Sequence, residues 1–163
     1  MDWSRMFNSR VLVFGCGNIL FGDDALGPRV ADALNDDPEL PSDVAALDAG
    51  TAIRALLFDL LLSESQPELL VIVDATNKVN RVPGEVFEID VDEVDTKKIG
   101  DFSMHQFPTT NLLKELKATS KSELRIIAVQ TAYVPDHMDE ILSPEVEAAI
   151  PRVVQKIKEM AAK

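Results

Sequence analysis

The sequence predicts an α/β domain: a three-layer sandwich with a twisted, mostly parallel sheet of about five strands between helices. Three observations carry that reading. Leu69 to Val73 reads LLVIV, apolar at every position, which suits a central parallel strand covered by helices on both faces. Short apolar runs alternate along the chain with longer stretches at helical spacing. The chain has 163 residues, enough for one compact domain spanning 1–163. A domain of that size buries roughly 70% of the surface its unfolded chain exposes, so it folds without a disulfide or a structural metal.

The elements follow in order. Arg10 to Phe14, RVLVF, runs straight into Gly15 and Gly17, as a buried strand ends in a turn. Leu26, Val30, Ala33 and Leu34 then recur at helical spacing, and Asp36, Asp37, Pro38 and Pro41 close that helix. Val44 to Leu47 is a second short strand ending at Asp48, followed by a turn at Ala49-Gly50-Thr51. Ile53, Leu56, Leu57, Leu60 and Leu61 mark the second helix. The LLVIV strand ends at Asp74. Pro83-Gly84 turns the chain into Val86 to Ile89, whose alternation fits a peripheral strand.

Asp90 to Gly100 is charged and reads as a loop. A third helix is expected near Pro108 to Lys117, and Leu124 to Val129 is another apolar strand. The last helix opens at Ser143-Pro144, an N-cap followed by proline at the first helical position. Its stripe is Val146, Ile150, Val153, Ile157 and Met160, and Pro151 is expected to kink it. The resulting order is strand, helix, strand, helix, strand, strand, helix, strand, helix.

Composition removes several function classes. The net charge of −12 repels phosphate backbones and anionic lipid, so neither nucleic acid nor membrane is an expected partner. Such a surface favours a basic or metal-bearing partner, or serves solubility alone. The single cysteine, Cys16, excludes an intramolecular disulfide and any multi-cysteine metal site. The first ten residues, MDWSRMFNSR, lack the apolar run of a signal peptide. No stretch approaches the ~18 apolar residues of a membrane span. The expected location is the cytoplasm.

In open α/β sheets, ligands bind beyond the carboxyl ends of the strands. The first strand is followed there by Gly15-Cys16-Gly17-Asn18-Ile19-Leu20-Phe21-Gly22-Asp23-Asp24. Asp48 follows the second strand, Asp74 the third, and His105 lies at the start of the third helix. Each has a plain structural role open to it. Asp23 and Asp24 precede a helix, where acids cap or answer the dipole. Asp48 and Asp74 suit turns after strands. A lone histidine is usually a surface or capping residue, and His137 in VPDHMDE reads as solvated loop. Jointly, carboxylates and an imidazole on one edge make an incomplete oxygen and nitrogen ligand set, of the kind that suits nickel, zinc or a similar divalent ion. Three protein ligands leave coordination positions open.

Gly15-x-Gly17 after a strand also resembles a dinucleotide fingerprint, but the third glycine should fall at Leu20. Asp23 and Asp24 would then sit where a pyrophosphate must lie, and like charges repel. Cys16 reads as a packed small residue. No GxSxG, HExxH or Walker loop is present.

Taken together, Gly15-Cys16-Gly17-Asn18-Ile19-Leu20 and Asp23-Asp24-Ala25-Leu26-Gly27 resemble the opening signature of the hydrogenase maturation endopeptidases. Leu47-Asp48-Ala49-Gly50-Thr51 is similar to their second-strand turn, and Leu70 to Ala75 to their central strand. Ser103-Met104-His105-Gln106 is similar to their histidine segment, and Ser143-Pro144-Glu145-Val146 with Pro151 to their closing helix. The resemblance spans residues 11–160. The fuller string from His105 to Leu113 is most similar to the archaeal subgroup serving the deazaflavin-reducing, or coenzyme-reducing, hydrogenase.

The resemblance implies a twisted sheet between helices. It also implies removal of the C-terminal extension of a nickel-loaded hydrogenase large-subunit precursor. It assigns metal contact to Asp24, Asp74 and His105, and links Asp48 to cleavage, here as the catalytic proton acceptor. Many members carry glutamate where this chain has Asp24, so this ligand has one methylene less reach. Nickel is expected to arrive with the substrate, and an isolated preparation can carry an adventitious divalent ion. Two other classes use the same residues differently: a non-catalytic nickel-binding maturation chaperone, and a nucleotide-binding oxidoreductase. Replacing His105 by Ala is expected to abolish nickel-dependent processing while the circular dichroism spectrum and melting temperature stay at the wild-type values. Normal processing by that variant removes His105 from the site.

Overall fold

The structure, a computed structural model, describes residues 6–93 and 109–163. Its sheet is built from β1 (Val11–Cys16), β2 (Val44–Gly50), β3 (Leu69–Thr76), β4 (Val86–Ile89) and β5 (Glu123–Gln130). The helices are α1 (Leu26–Asn35), α2 (Ile53–Leu62), α3 (Thr109–Thr119) and α4 (Pro144–Ala161). The strand order is β2-β1-β3-β5-β4, parallel except for β4, which runs antiparallel to β5. This is the predicted order of elements and the predicted sheet. The reversal from β1-β2 on one side to β3-β5 on the other makes the carboxyl ends of β1 and β3 a topological switch point.

Two cores flank the sheet. On one face, α1 and α4 bury Leu26, Val30, Leu34, Val146, Val153 and Ile157 against Val11, Val13, Val71 and Val73. On the other, Ile53, Leu57 and Leu60 of α2 and Leu113 and Leu116 of α3 cover Leu12, Phe14, Leu70 and Ile72. Every residue of β1 and β3 is buried, as the LLVIV run requires. Three stripe positions differ. Ala31 takes the fully buried place expected of Ala33, and Leu61 is only partly buried. The third is Ile150 of α4, which is partly buried while Ala149 beside it is fully buried.

Several boundaries also move. β1 runs Val11–Cys16, so Gly15 lies inside the strand and not in the turn after it. β2 continues through Asp48 to Gly50 and β3 through Asp74 to Thr76, so both acids lie inside strands and not in turns after them. Cross-strand pairing, invisible to local sequence, extends each ladder. Between Asp90 and Gly100, a short 3-10 turn at Val91–Glu93 tucks Val91 into the α2–α3 core; the rest of that expected loop lies outside the described residues. α4 does open on Ser143, whose side chain accepts the Val146 N–H, and it continues through Pro151 to Ala161.

Polar ties close the rims. Arg10 donates to Asp43 Oδ2 and to the Ala161 carbonyl, both at 2.6 Å. It thereby joins the starts of β1 and β2 to an end carbonyl of α4, one of those a helix cannot satisfy internally. Arg125 makes a bidentate pair with Glu88 at 2.8 Å, fastening β4 to β5 and holding the Glu88 carboxyl below its usual range.

α1 can lie this close to the sheet because Gly27 has no side chain. A Cβ there would stand 2.1 Å from the Cys16 carbonyl oxygen and 2.6 Å from that of Val73. Gly15 faces the same contact from the strand side, 2.1 Å from the Gly27 carbonyl oxygen. Backbone atoms cannot yield as a side-chain tip can. Gly27→Ala is therefore expected to cost about 3 kcal/mol or more. For a domain of this size that lowers Tm by roughly 6–12 °C, measurable by differential scanning calorimetry against wild type.

Candidate functional site

The loop after β1 turns back on itself. Gly17 adopts φ +135°, and a Cβ there would stand 1.9 Å from the Asp24 carbonyl oxygen. Most amides of this loop are committed to the chain itself. Gly17 N–H donates to the Gly50 carbonyl and Asn18 N–H to Asp24 Oδ2, both at 3.0 Å. Leu20 N–H donates to Asn18 Oδ1 at 3.0 Å and Phe21 N–H to the Asn18 carbonyl at 3.3 Å. A dinucleotide loop offers such donors to a pyrophosphate. Here a carboxylate already holds one of them, and the glycine gap is filled by backbone. The nucleotide reading therefore fails on geometry.

Asp23 and Asp24 form the 3-10 turn Gly22–Ala25 that leads into α1, and both are buried. Their roles separate sharply. Asp23 does not cap α1. Its Oδ2 accepts from Ala132 N–H at 2.8 Å, Tyr133 N–H at 2.7 Å and the Ser143 hydroxyl at 2.8 Å, while Oδ1 accepts from Ser143 N–H at 2.7 Å. It joins the loop after β1 to the exit of β5 and the start of α4. Asp24 turns the other way, to the Asn18 amide.

Asp74 is 1% exposed, and its Oδ1 accepts from Ala75 N–H at 2.9 Å. Along β3 it alternates with Leu70 and Ile72, which puts it on the α2–α3 side of the sheet. The Gly22–Ala25 turn packs against β3, and Gly27 lies over the Val73 carbonyl. Asp24 and Asp74 thus occupy the same switch-point edge, each with a carboxylate oriented by a backbone N–H. Two residues beyond Asp74, on the same face, the buried Thr76 hydroxyl has no hydrogen-bond partner among the described residues. Sequence reasoning did not single it out, and nothing in its local pattern would have done so.

Asp48 is separate from that pair. It is exposed and lines an open cleft of about 240 Å³ with Gly17, Asn18, Ile19, Gly50 and Thr51. The ladder slips here: Gly15 pairs with Asp48 but Cys16 with Gly50, so β2 carries one extra residue. Such a bulge re-aims side chains at the rim of a sheet. Gly50, at φ +52°, donates its N–H to Asp48 Oδ1 at 2.9 Å and fixes the carboxylate's orientation. Asn18 links the two parts. It lines the Asp48 cleft while its N–H holds Asp24.

His105 lies outside the described residues. Among the described residues no three His, Cys, Asp or Glu side chains group to hold a metal. Two buried carboxylates suit a hard or borderline divalent ion, and they need a further ligand to make a site. Cys16 is buried within β1, its Sγ toward the Phe14 carbonyl, and His137 sits in an exposed loop beside Asp136, as expected.

At the rim, Tyr133 donates its hydroxyl to Asp139 Oδ2 at 2.7 Å. That bond raises the Tyr133 pKa and lowers that of Asp139. Asp139 also pairs with Phe21 in an isolated bridge, so this loop closes over the first one.

A family model of hydrogenase maturation proteases matches residues 28–160. The chain belongs to that family. Its relatives include the protein named coenzyme F420 hydrogenase subunit delta of Methanothermobacter thermautotrophicus, 35% identical over 93% of this chain and 94% of that one. That similarity agrees with the archaeal subgroup read from the histidine string. The hydrogenase 2 maturation protease of Escherichia coli is 32% identical over 91% of this chain and 88% of its own length. Among solved structures, the hydrogenase maturating endopeptidase HybD of E. coli superposes with a TM-score of 0.72 at 32% identity, covering 91% of this chain and 89% of that one. The maturation protease HybD of Thermococcus kodakarensis gives 0.72 at 26% identity, covering 93% and 99%. This member of the hydrogenase maturation proteases is a peptidase with the family's α/β fold.

Within it, Asp23 is a structural residue. Removing one side of a buried, hydrogen-bonded charge typically costs 3–5 kcal/mol. Asp23→Asn keeps the shape but turns an N–H₂ toward donors. It is expected to lower stability by about 3 kcal/mol in urea denaturation. An unchanged midpoint would mean that the loop knot is not held by this carboxylate.

Proposed function

We propose that this protein is the cytoplasmic endopeptidase that removes the C-terminal extension of a nickel-loaded hydrogenase large-subunit precursor, using the substrate's own nickel for recognition. The observation that carries the reading is the division of labour among its acids. Asp24 and Asp74 are buried and held by backbone N–H groups at the switch point, whereas Asp48 is exposed in an open cleft joined to them through Asn18. Buried, pre-oriented carboxylates serve to hold; an accessible one serves to exchange protons with water.

Asp24 and Asp74 engage the nickel that the precursor brings, with His105 as the third ligand by family resemblance. Binding then depends on nickel insertion, because two buried acids do not attract an unloaded peptide. The chemistry nickel supplies there is orientation and polarisation of the peptide beside it. Asp48 stands at the cleft mouth, where Gly50 N–H fixes one carboxylate oxygen, and accepts a proton from the attacking water. The scissile C–N bond breaks, the new carboxylate stays on the precursor, and the proton passes to the leaving amine. Among the described residues no helix is long and apolar enough to cross a membrane.

The test is mass spectrometry of a large-subunit precursor incubated with this protein, with and without nickel loading. Release of a C-terminal fragment from the loaded precursor alone is the expected result. Cleavage of both would sink nickel recognition. Binding without any fragment would make the protein a maturation chaperone. In the same assay Asp48→Asn is expected to bind the loaded precursor with near wild-type affinity and to lower kcat about 100-fold or more. Loss of binding instead would make Asp48 a recognition residue.

A further inference from the structure

We propose that the free edge of β2 binds the precursor's C-terminal tail as an added strand and leads it to Asp48. The proposal rests on the endopeptidase reading above and extends it to how the tail is recognised.

β2 is the outermost parallel strand of the sheet. Val11 N–H donates to the Asp43 carbonyl at 3.1 Å. The backbone groups of Asp43, Ala45 and Leu47 therefore face β1, and by alternation those of Val44, Ala46 and Asp48 face outward. Part of this edge is already occupied. Val44 N–H donates to the Pro41 carbonyl at 3.0 Å, and Asn35 Nδ2 donates to the Ala46 carbonyl at 3.1 Å. The N–H groups of Ala46 and Asp48 have no partner among the described residues. They are two residues apart, the spacing at which an extended chain offers carbonyls on one side.

The surroundings suit an extended peptide. A groove of about 340 Å³ lies along this edge, lined among others by Asn35, Leu40, Pro41, Val44 and Ala46. Downstream on the same strand is the cleft that holds Asp48 and Gly50. Groove and cleft are in series, so a chain paired with β2 leads into the candidate catalytic position. Added strands gain affinity from main-chain hydrogen bonds and selectivity from pockets for alternate side chains. Leu40 and Pro41 supply an apolar wall for such side chains. The Asn35 amide, itself shaped like a peptide group, covers the Ala46 carbonyl as edges are commonly shielded, and an incoming peptide N–H replaces it. The chain's charge of −12 opposes a second copy of the same acidic molecule at this edge and favours a neutral or basic tail.

Proline at position 46 deletes the outward N–H and leaves the ladder to β1 intact, because edge strands tolerate proline where the N–H faces solvent. Ala46→Val keeps the N–H. With nickel-loaded precursor, Ala46→Pro is expected to raise KM roughly three- to tenfold, the loss of one net hydrogen bond. Its kcat should stay unchanged, and Ala46→Val should behave as wild type. In parallel, hydrogen exchange at the Ala46 amide should slow when Asp48→Asn binds the loaded precursor, and not with precursor already lacking its tail. An unchanged KM for folded Ala46→Pro, or an Ala46 amide that exchanges as fast in the complex as in the free protein, overturns the proposal. So does slowing that appears merely on concentrating the protein alone, which would assign the edge to a second copy. If Ala46→Pro does not fold, the exchange measurement decides by itself. Failure of wild type to cleave any loaded precursor is a separate result that defeats the endopeptidase reading, while exchange in the bound complex still reports on the edge.

Discussion

One buried carboxylate organises the functional edge of this protein. Asp23 accepts hydrogen bonds from Ala132, from Tyr133 and twice from Ser143. Moving a carboxylate out of water costs several kcal/mol, and hydrogen bonds to a charged acceptor contribute roughly 1.5–3 kcal/mol each. Four together offset that cost. The bond to Ser143 also places the residue that caps α4, so the last helix is registered against the first loop. Through the Tyr133–Asp139 pair and the Phe21–Asp139 bridge, the loop after β5 is folded onto the loop after β1. Asp24 follows Asp23 directly in the chain, and its position depends on that knot.

The glycines of the same loop serve packing of the chain on itself. Gly15 and Gly27 let α1 approach the strands to backbone contact, and Gly17 makes room for the Asp24 carbonyl. A glycine-rich turn between a strand and a helix has two uses that look alike in sequence. It can leave its amides open for an anion, or it can spend them internally. Here Asn18 N–H faces a carboxylate of the protein itself. A fixed negative charge occupies the place where a phosphate would sit, and the edge becomes suited to a cation.

Acid placement then follows from strand geometry. Asp74 lies inside β3, covered on the α2–α3 face, while the bulge near the end of β2 brings Asp48 out into a cleft. Two aspartates that follow comparable apolar runs end with opposite exposure. One is enclosed, with its carboxylate held by the Ala75 N–H, and the other faces water in an open cleft. The open side of β2 adds a track of backbone groups that ends at the exposed acid, so the edge strand and the cleft form one surface.

The sequence by itself determined the order of strands and helices, the central place of β3, the peripheral place of β4 and the capped start of α4. Those features rest on local periodicity and on residues a few positions apart, such as Ser143 with Val146. It also determined the family, through a signature distributed over nearly the whole chain. Three things were decided only by the tertiary structure. Asp23 reads in sequence as a helix cap, because its true partners lie 109 to 120 residues away. Asp48 and Asp74 read as turn residues, because the pairings that draw them into strands come from neighbouring strands distant in sequence. The free backbone groups of β2 are legible only once the sheet order makes that strand an edge. Periodicity shows what each segment is; which segments meet, and which polar groups are left over when they do, depends on long-range contacts that no local pattern encodes.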